Sequence, residues 1–188
     1  EDAYDQSAKD AVAEGWHAIT AGELGLAKKG SGSVRYTFKD GLYQGDTAQS
    51  SEGQALVLSQ TVGDETILTL AFRGTVDLAE QFPDYFPFDR HYESFKPLIK
   101  AVKKFVADAS NGIDKVVVTG HSLGGAMAQL FLNEKLDVPV AGYTFGSPGA
   151  DDARKNAKVI NFAHAEDAIP ALGGIKDDRS GGVVTVDK

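Results

Sequence analysis

Gly120-His121-Ser122-Leu123-Gly124-Gly125 sets a serine between two glycines, each two residues away. Before it runs Lys115-Val116-Val117-Val118-Thr119, a β-branched stretch of strand character, and after it Ala126-Met127-Ala128-Gln129-Leu130-Phe131-Leu132, a run of helix formers. Strand, sharp turn and helix form the context in which a G-x-S-x-G segment lifts a serine hydroxyl clear of a sheet edge in a strained turn. Gly120 and Gly124 let strand and helix pack where a Cβ would clash. A serine held this way is a candidate nucleophile for acyl transfer, although the bare pattern also fits an ordinary strand-to-helix turn.

A serine nucleophile needs a base, itself oriented by a carboxylate, and in this arrangement the partners follow in the order serine, acid, histidine. Asp167, in Asn161-Phe162-Ala163-His164-Ala165-Glu166-Asp167-Ala168-Ile169-Pro170, lies just past a predicted strand, where open α/β sheets place their chemistry. It fits the acid, and it also fits a solvated turn. Asp151 and Asp152, after Phe145-Gly146-Ser147-Pro148, are its rivals. Donors to a developing oxyanion are expected from the Leu123 N–H and from an earlier loop. Phe72-Arg73-Gly74-Thr75 suits that loop, with the Thr75 hydroxyl as a further donor.

The elements that must position these residues follow from hydrophobic periodicity. Ala3, Tyr4, Ala8, Ala11 and Val12 have helical spacing over residues 3 to 14, and Gly15-Trp16-His17 ends that helix. Strands are predicted over Ser33–Phe38 and Ala55–Val62, the latter turning through Gly63-Asp64-Glu65 into a hairpin partner, Thr66–Phe72. Phe95, Leu98, Ile99, Val102, Phe105 and Val106 make one apolar helical stripe opposite Lys96, Lys100, Lys103 and Lys104. Val140–Phe145, Lys158–Phe162 and Val183–Val186 read as further strands. Strands alternating with helices in the second half imply a mostly parallel sheet with helices on both faces, and the first half supplies antiparallel edge strands. The expected architecture is an α/β-hydrolase fold.

Composition narrows the classes. The 188 residues fit one domain with a full core, and 42% hydrophobic and 24% charged residues are ordinary for a globular chain. A net charge of −8 disfavours nucleic acid as partner. The absence of cysteine excludes disulfides, thiol catalysis and cysteine-ligated zinc. No apolar run is long enough to span a membrane, and the acidic start Glu1-Asp2-Ala3-Tyr4-Asp5 is no signal peptide, so a mature form or an excised piece is expected.

Phe72-Arg73-Gly74-Thr75, Gly120-His121-Ser122-Leu123-Gly124-Gly125, Thr144-Phe145-Gly146-Ser147-Pro148 and Asp167-Ala168-Ile169-Pro170 resemble, in order, the four signature segments of class 3 lipases. The stretch from Gly15-Trp16-His17 to Glu23-Leu24-Gly25 looks like the N-terminal segment of bacterial RTX-type true lipases, secreted triacylglycerol lipases with C-terminal calcium-binding repeats. The resemblance implies Ser122 as nucleophile, Asp167 as acid, Thr75 as oxyanion residue, secretion, and a structural calcium, with no cofactor required for the chemistry. It departs from the family at His91-Tyr92-Glu93-Ser94-Phe95, where the His-x-Gly-Phe spacing differs, and after Thr75, where the usual Trp-Asp pair is absent.

In these lipases the catalytic histidine lies some tens of residues beyond the aspartate, and none of Ala168 to Lys188 is histidine. Of the four histidines present, His121 is expected to support the elbow, His17 to be structural beside Trp16, and His91 to cap or pack the striped helix. His164 would invert the usual order, which convergent triads permit. The preferred expectation is a single, C-terminally incomplete catalytic domain over residues 1–188, its base and any calcium-repeat tail lying beyond Lys188. Phe82-Pro83-Asp84-Tyr85-Phe86-Pro87-Phe88 is either a core-facing loop or a lid, the latter an apolar surface for a water-insoluble ester. The expected activity is triacylglycerol hydrolysis at an oil–water or membrane interface. Phospholipase A1 or short-chain esterase activity is the alternative, and a non-catalytic hydrolase-like binding module is the alternative of another class.

Overall fold

Asp40-Gly41 closes the tight hairpin between Arg35–Lys39 and Leu42–Asp46. Both residues have positive φ, 49° and 79°, the two-residue geometry whose twist matches that of the flanking strands. The computed structural model describes residues 3–48, 53–74, 88–150, 158–164 and 182–186. They fall into two compact units: the first takes in the described residues of Glu1–Leu70, Asp89–Val116 and Leu136–Pro139, the second those of Ala71–Phe88, Val117–Lys135 and Val140–Lys188.

The chain begins with α1 (Ala3–Ala13), β1 (His17–Ala18), α2 (Ala21–Leu24) and β2 (Lys29–Gly30). The hairpin β3 (Arg35–Lys39) and β4 (Leu42–Asp46) and the long strands β5 (Gly53–Val62) and β6 (Glu65–Phe72) follow. Next come α3 (Phe88–Glu93), α4 (Lys96–Ala107), a 3₁₀ turn at Ala109–Asn111, β7 (Lys115–His121) and α5 (Leu123–Phe131). Three strands complete the described chain, β8 (Val140–Phe145), β9 (Val159–His164) and β10 (Gly182–Val186). The sheet runs β10-β9-β8-β7-β6-β5-β4-β3-β2, with β1 paired to β5. Pairings in the first half are antiparallel (β1 with β5, β2 with β3, β3 with β4, β4 with β5). β8 with β9 and β9 with β10 are parallel. This is the mixed sheet of an α/β-hydrolase fold.

In the first unit Phe38, Tyr43, Val57, Leu68, Leu70, Phe95, Leu98 and Val102 are buried to under 2% exposure. Tyr43 ties the strands to the helices: its ring stacks on Tyr36 at 5.6 Å and its hydroxyl donates to the Ser94 carbonyl at 2.8 Å. Burial pushes that phenol's pKa up. The stripe on α4 buries Leu98, Ile99, Val102, Phe105 and Val106 as its spacing predicts.

In the second unit every residue of α5 is buried, as befits a helix apolar all round. It packs on β8, and Phe131 lies 6.2 Å from the Phe72 ring.

Several expectations need correction. Val12 is 50% exposed, so it is no part of a buried stripe on α1; Ala8 is buried. The first long strand starts at Arg35, because Ser33 and Val34 remain in a bend. His91 does not open the striped helix but sits in α3. The break follows from Pro97, which stands in the first turn of α4, where its missing N–H costs nothing, and which cannot continue a preceding helix.

Candidate active site

Ser122 follows the last residue of β7 and precedes the first residue of α5. Its backbone adopts φ 56°, ψ −125°, one of two positive-φ non-glycine residues among those described. That conformation costs of order 1–3 kcal/mol and persists only where the surroundings impose it. Here they do. The Ser122 N–H donates to the Phe145 carbonyl at 2.9 Å, while the Ser122 carbonyl accepts from Gly125 at 2.9 Å and Ala126 at 3.3 Å. The side chain is fully buried, and its Oγ has no hydrogen-bond partner among the described residues. A buried hydroxyl without a partner is costly, and active sites are where such costs are retained.

The glycines act as the sequence requires. A Cβ on Gly120 would overlap the Gly124 backbone, and one on Gly124 would overlap the Phe72 carbonyl. The turn after β6 lies against the elbow: a Cβ on Gly74 would meet the His121 carbonyl and come 3.3 Å from the Ser122 Cβ. Thr75, the next residue, lies outside the described residues, as do Asp151, Asp152, Asp167 and residues 82–87 of the aromatic segment; Phe88 opens α3. Leu123 is the first residue of α5 and is buried; its amide faces the anion-favouring end of the helix.

The end of β8 meets the serine. Ser122 bonds to Phe145, the last residue of β8, and Gly146 N–H donates to the Phe162 carbonyl of β9 at 2.8 Å. β9 ends two residues later at His164, three residues before Asp167 in the sequence.

The histidines separate cleanly. His121 is exposed. His17 is exposed and bonds Glu23 at 2.7 Å. Burial works to raise the Glu23 pKa, but hydrogen bonds from Thr20 and His17 outweigh it and hold the carboxyl below its ordinary value. His91 is buried, its ring edge-on to Phe95 at 5.7 Å, and burial depresses its pKa to about 4. That is a packing role, as expected. His164 pairs with Val186 in the ladder.

A buried polar cluster beneath the elbow escaped the sequence reading. Gln129 Nε2 donates to Asn161 Oδ1 at 2.7 Å, and the same oxygen accepts from the Thr144 hydroxyl at 2.5 Å. The signal was available: Gln129 is the single polar side chain in the apolar run 126–132. Among the described residues no group of three or more histidines and carboxylates gathers to hold a metal ion, so no calcium ligand is assigned.

Strained serine and close-packed glycines form the strand–turn–helix elbow of an α/β-hydrolase fold. The chain belongs to the class 3 lipase family, whose model, lipase (class 3), matches residues 69–176 and so takes in Thr75, Ser122 and Asp167. The crystal structure of a lipase from Rhizopus microsporus var. chinensis is similar, with a TM-score of 0.47 and 21% identity over 69% of this chain and 54% of that one. The chain thus spans about half the length of that lipase. No curated protein matches the sequence.

Proposed function

We propose that this chain carries the nucleophile and acid of a secreted, serine-dependent lipid ester hydrolase, a triacylglycerol lipase in the first instance. The observation that carries the reading is Ser122: positive φ, buried hydroxyl without a described partner, and a helix beginning at the next residue. Its Oγ attacks the ester carbonyl and its proton passes to a histidine that Asp167 orients. The Leu123 N–H and Thr75 receive the tetrahedral oxyanion. Collapse breaks the bond to the glycerol oxygen, which takes the histidine's proton. Water then adds to the acyl-enzyme and gives a proton to the histidine; collapse breaks the bond to Ser122 Oγ, which takes that proton back as the fatty acid leaves.

The chemistry needs no cofactor. The likeness of Gly15–Gly25 to RTX-type lipases supports secretion and a calcium-binding tail. No helix among the described residues is long and apolar enough to cross a membrane.

The test uses the full-length protein on emulsified long-chain triacylglycerol, phospholipid vesicles and a short-chain nitrophenyl ester. Fastest release of fatty acid from the triacylglycerol, lost in Ser122→Ala, is the expected result. Preference for phospholipid or for the short ester overturns the substrate assignment, and turnover surviving in Ser122→Ala overturns the nucleophile.

A further inference from the structure

We propose that the Gln129–Asn161 hydrogen bond is a positioning device for the reaction, fixing the helix that starts after Ser122 against the strand that leads to Asp167. The inference rests on the roles proposed for those two residues.

Gln129 stands seven residues after Ser122, about two helical turns, and so lies on the serine's side of α5. It is fully buried. Its Nε2 donates to Asn161 Oδ1 at 2.7 Å and lies 3.4 Å from Ser147 Oγ, which accepts the Gly149 N–H at 3.2 Å. Asn161 Oδ1 also takes the Thr144 hydroxyl, and Asn161 Nδ2 donates to the Gly182 carbonyl at 3.3 Å. One pair of amides therefore joins α5 to β8, β9 and β10.

Two physical arguments give this cluster a geometric purpose. Backbone ladders fix parallel strands to one another, but none of their bonds reaches a helix lying across them. Apolar contact from Met127 and Phe131 is non-directional and tolerates sliding, whereas an amide–amide bond holds only at one distance and angle. The second argument is cost. Gln129 Oε1 is buried with no hydrogen-bond partner among the described residues, and an apolar side chain at that place would avoid the cost. Stability alone does not account for glutamine here; position does. A slide of α5 over β9 would move Ser122 relative to the strand end three residues before Asp167.

The test is Gln129→Met in the full-length protein. Methionine is apolar and of similar length, removes the donor and the unpaired oxygen together, and leaves Asn161 Oδ1 satisfied by Thr144. The melting temperature is expected to hold, and amide hydrogen exchange over Val159–His164 to quicken. In ester hydrolysis kcat should fall about tenfold or more, with KM inside about twofold, because small misplacements cost chemistry rather than binding. Gln129→Glu supplies the control if the methionine variant folds poorly. A protonated carboxyl can donate to Asn161 Oδ1 and an ionised one cannot, so its kcat relative to the parent should rise as pH falls. Parental kcat in Gln129→Met, or a pH-independent ratio for Gln129→Glu, overturns the proposal. Turnover retained in Ser122→Ala is a separate failure, that of the nucleophile assignment, and leaves the exchange measurement to judge the clamp.

Discussion

Ser122 bears two costs at once, a left-handed backbone and a buried hydroxyl with no described partner, and its neighbours hold it there through the Phe145, Gly125 and Ala126 bonds. The residue type and the flanking glycines were readable because G-x-S-x-G demands a specific turn. Thr75 and Asp167 are candidates from their places after strands and from the ordered motifs, and both lie outside the described residues. His91 makes its own prediction. Its folded pKa is about 4 against 6.5 unfolded, so between those values the unfolded chain binds more protons and stability drops as pH falls. The stabilisation is intact above about pH 6.5 and lost toward pH 4, a change of up to about 3 kcal/mol. Denaturant unfolding at stepped pH should show that slope, and His91→Gln should flatten it; an unchanged slope in the variant would assign it to other groups.

At the scale of elements, the elbow depends on the absence of a Cβ. Gly124→Ala would drive a methyl into the Phe72 carbonyl, so unfolding should come at lower denaturant by about 1–3 kcal/mol, together with lost activity. A midpoint equal to the parent would mean that β6 and α5 can part without cost. Tyr43→Phe removes a buried bond to Ser94 and should cost about 1 kcal/mol on the same measurement. Long apolar elements were legible: β5, β6, β7 and α4 lie where periodicity places them. Short ones were not. β4 and α2 follow local chemistry rather than periodicity: Asp40-Gly41 spells a hairpin turn, and Thr20 with Glu23 forms a capping box, the Thr20 N–H donating to Glu23 at 2.8 Å. β1 and β2, two residues each, exist only through their partners β5 and β3.

For the molecule as a whole, alternation within strands decides what is covered and what is open. Thr144, Val159 and Asn161 are buried, whereas Tyr143, Phe145, Ile160 and Val184 are exposed, with Phe145 stacked on Phe162 at 5.1 Å. The sequence announced apolar strands but could not say which side stays open, because that depends on which strands lie side by side. The buried Gln129–Asn161 bond was illegible for the same reason, its two residues standing 32 positions apart. In the proposed function one serine, raised by strand, turn and helix, does covalent chemistry on an ester. Fluorophosphonate treatment of the full-length protein, followed by mass mapping of the adduct, measures this directly. The expected result is a single phosphonylated site at Ser122 that disappears in Ser122→Ala; an intact Ser122 peptide, or label carried on another residue, would contradict the assignment.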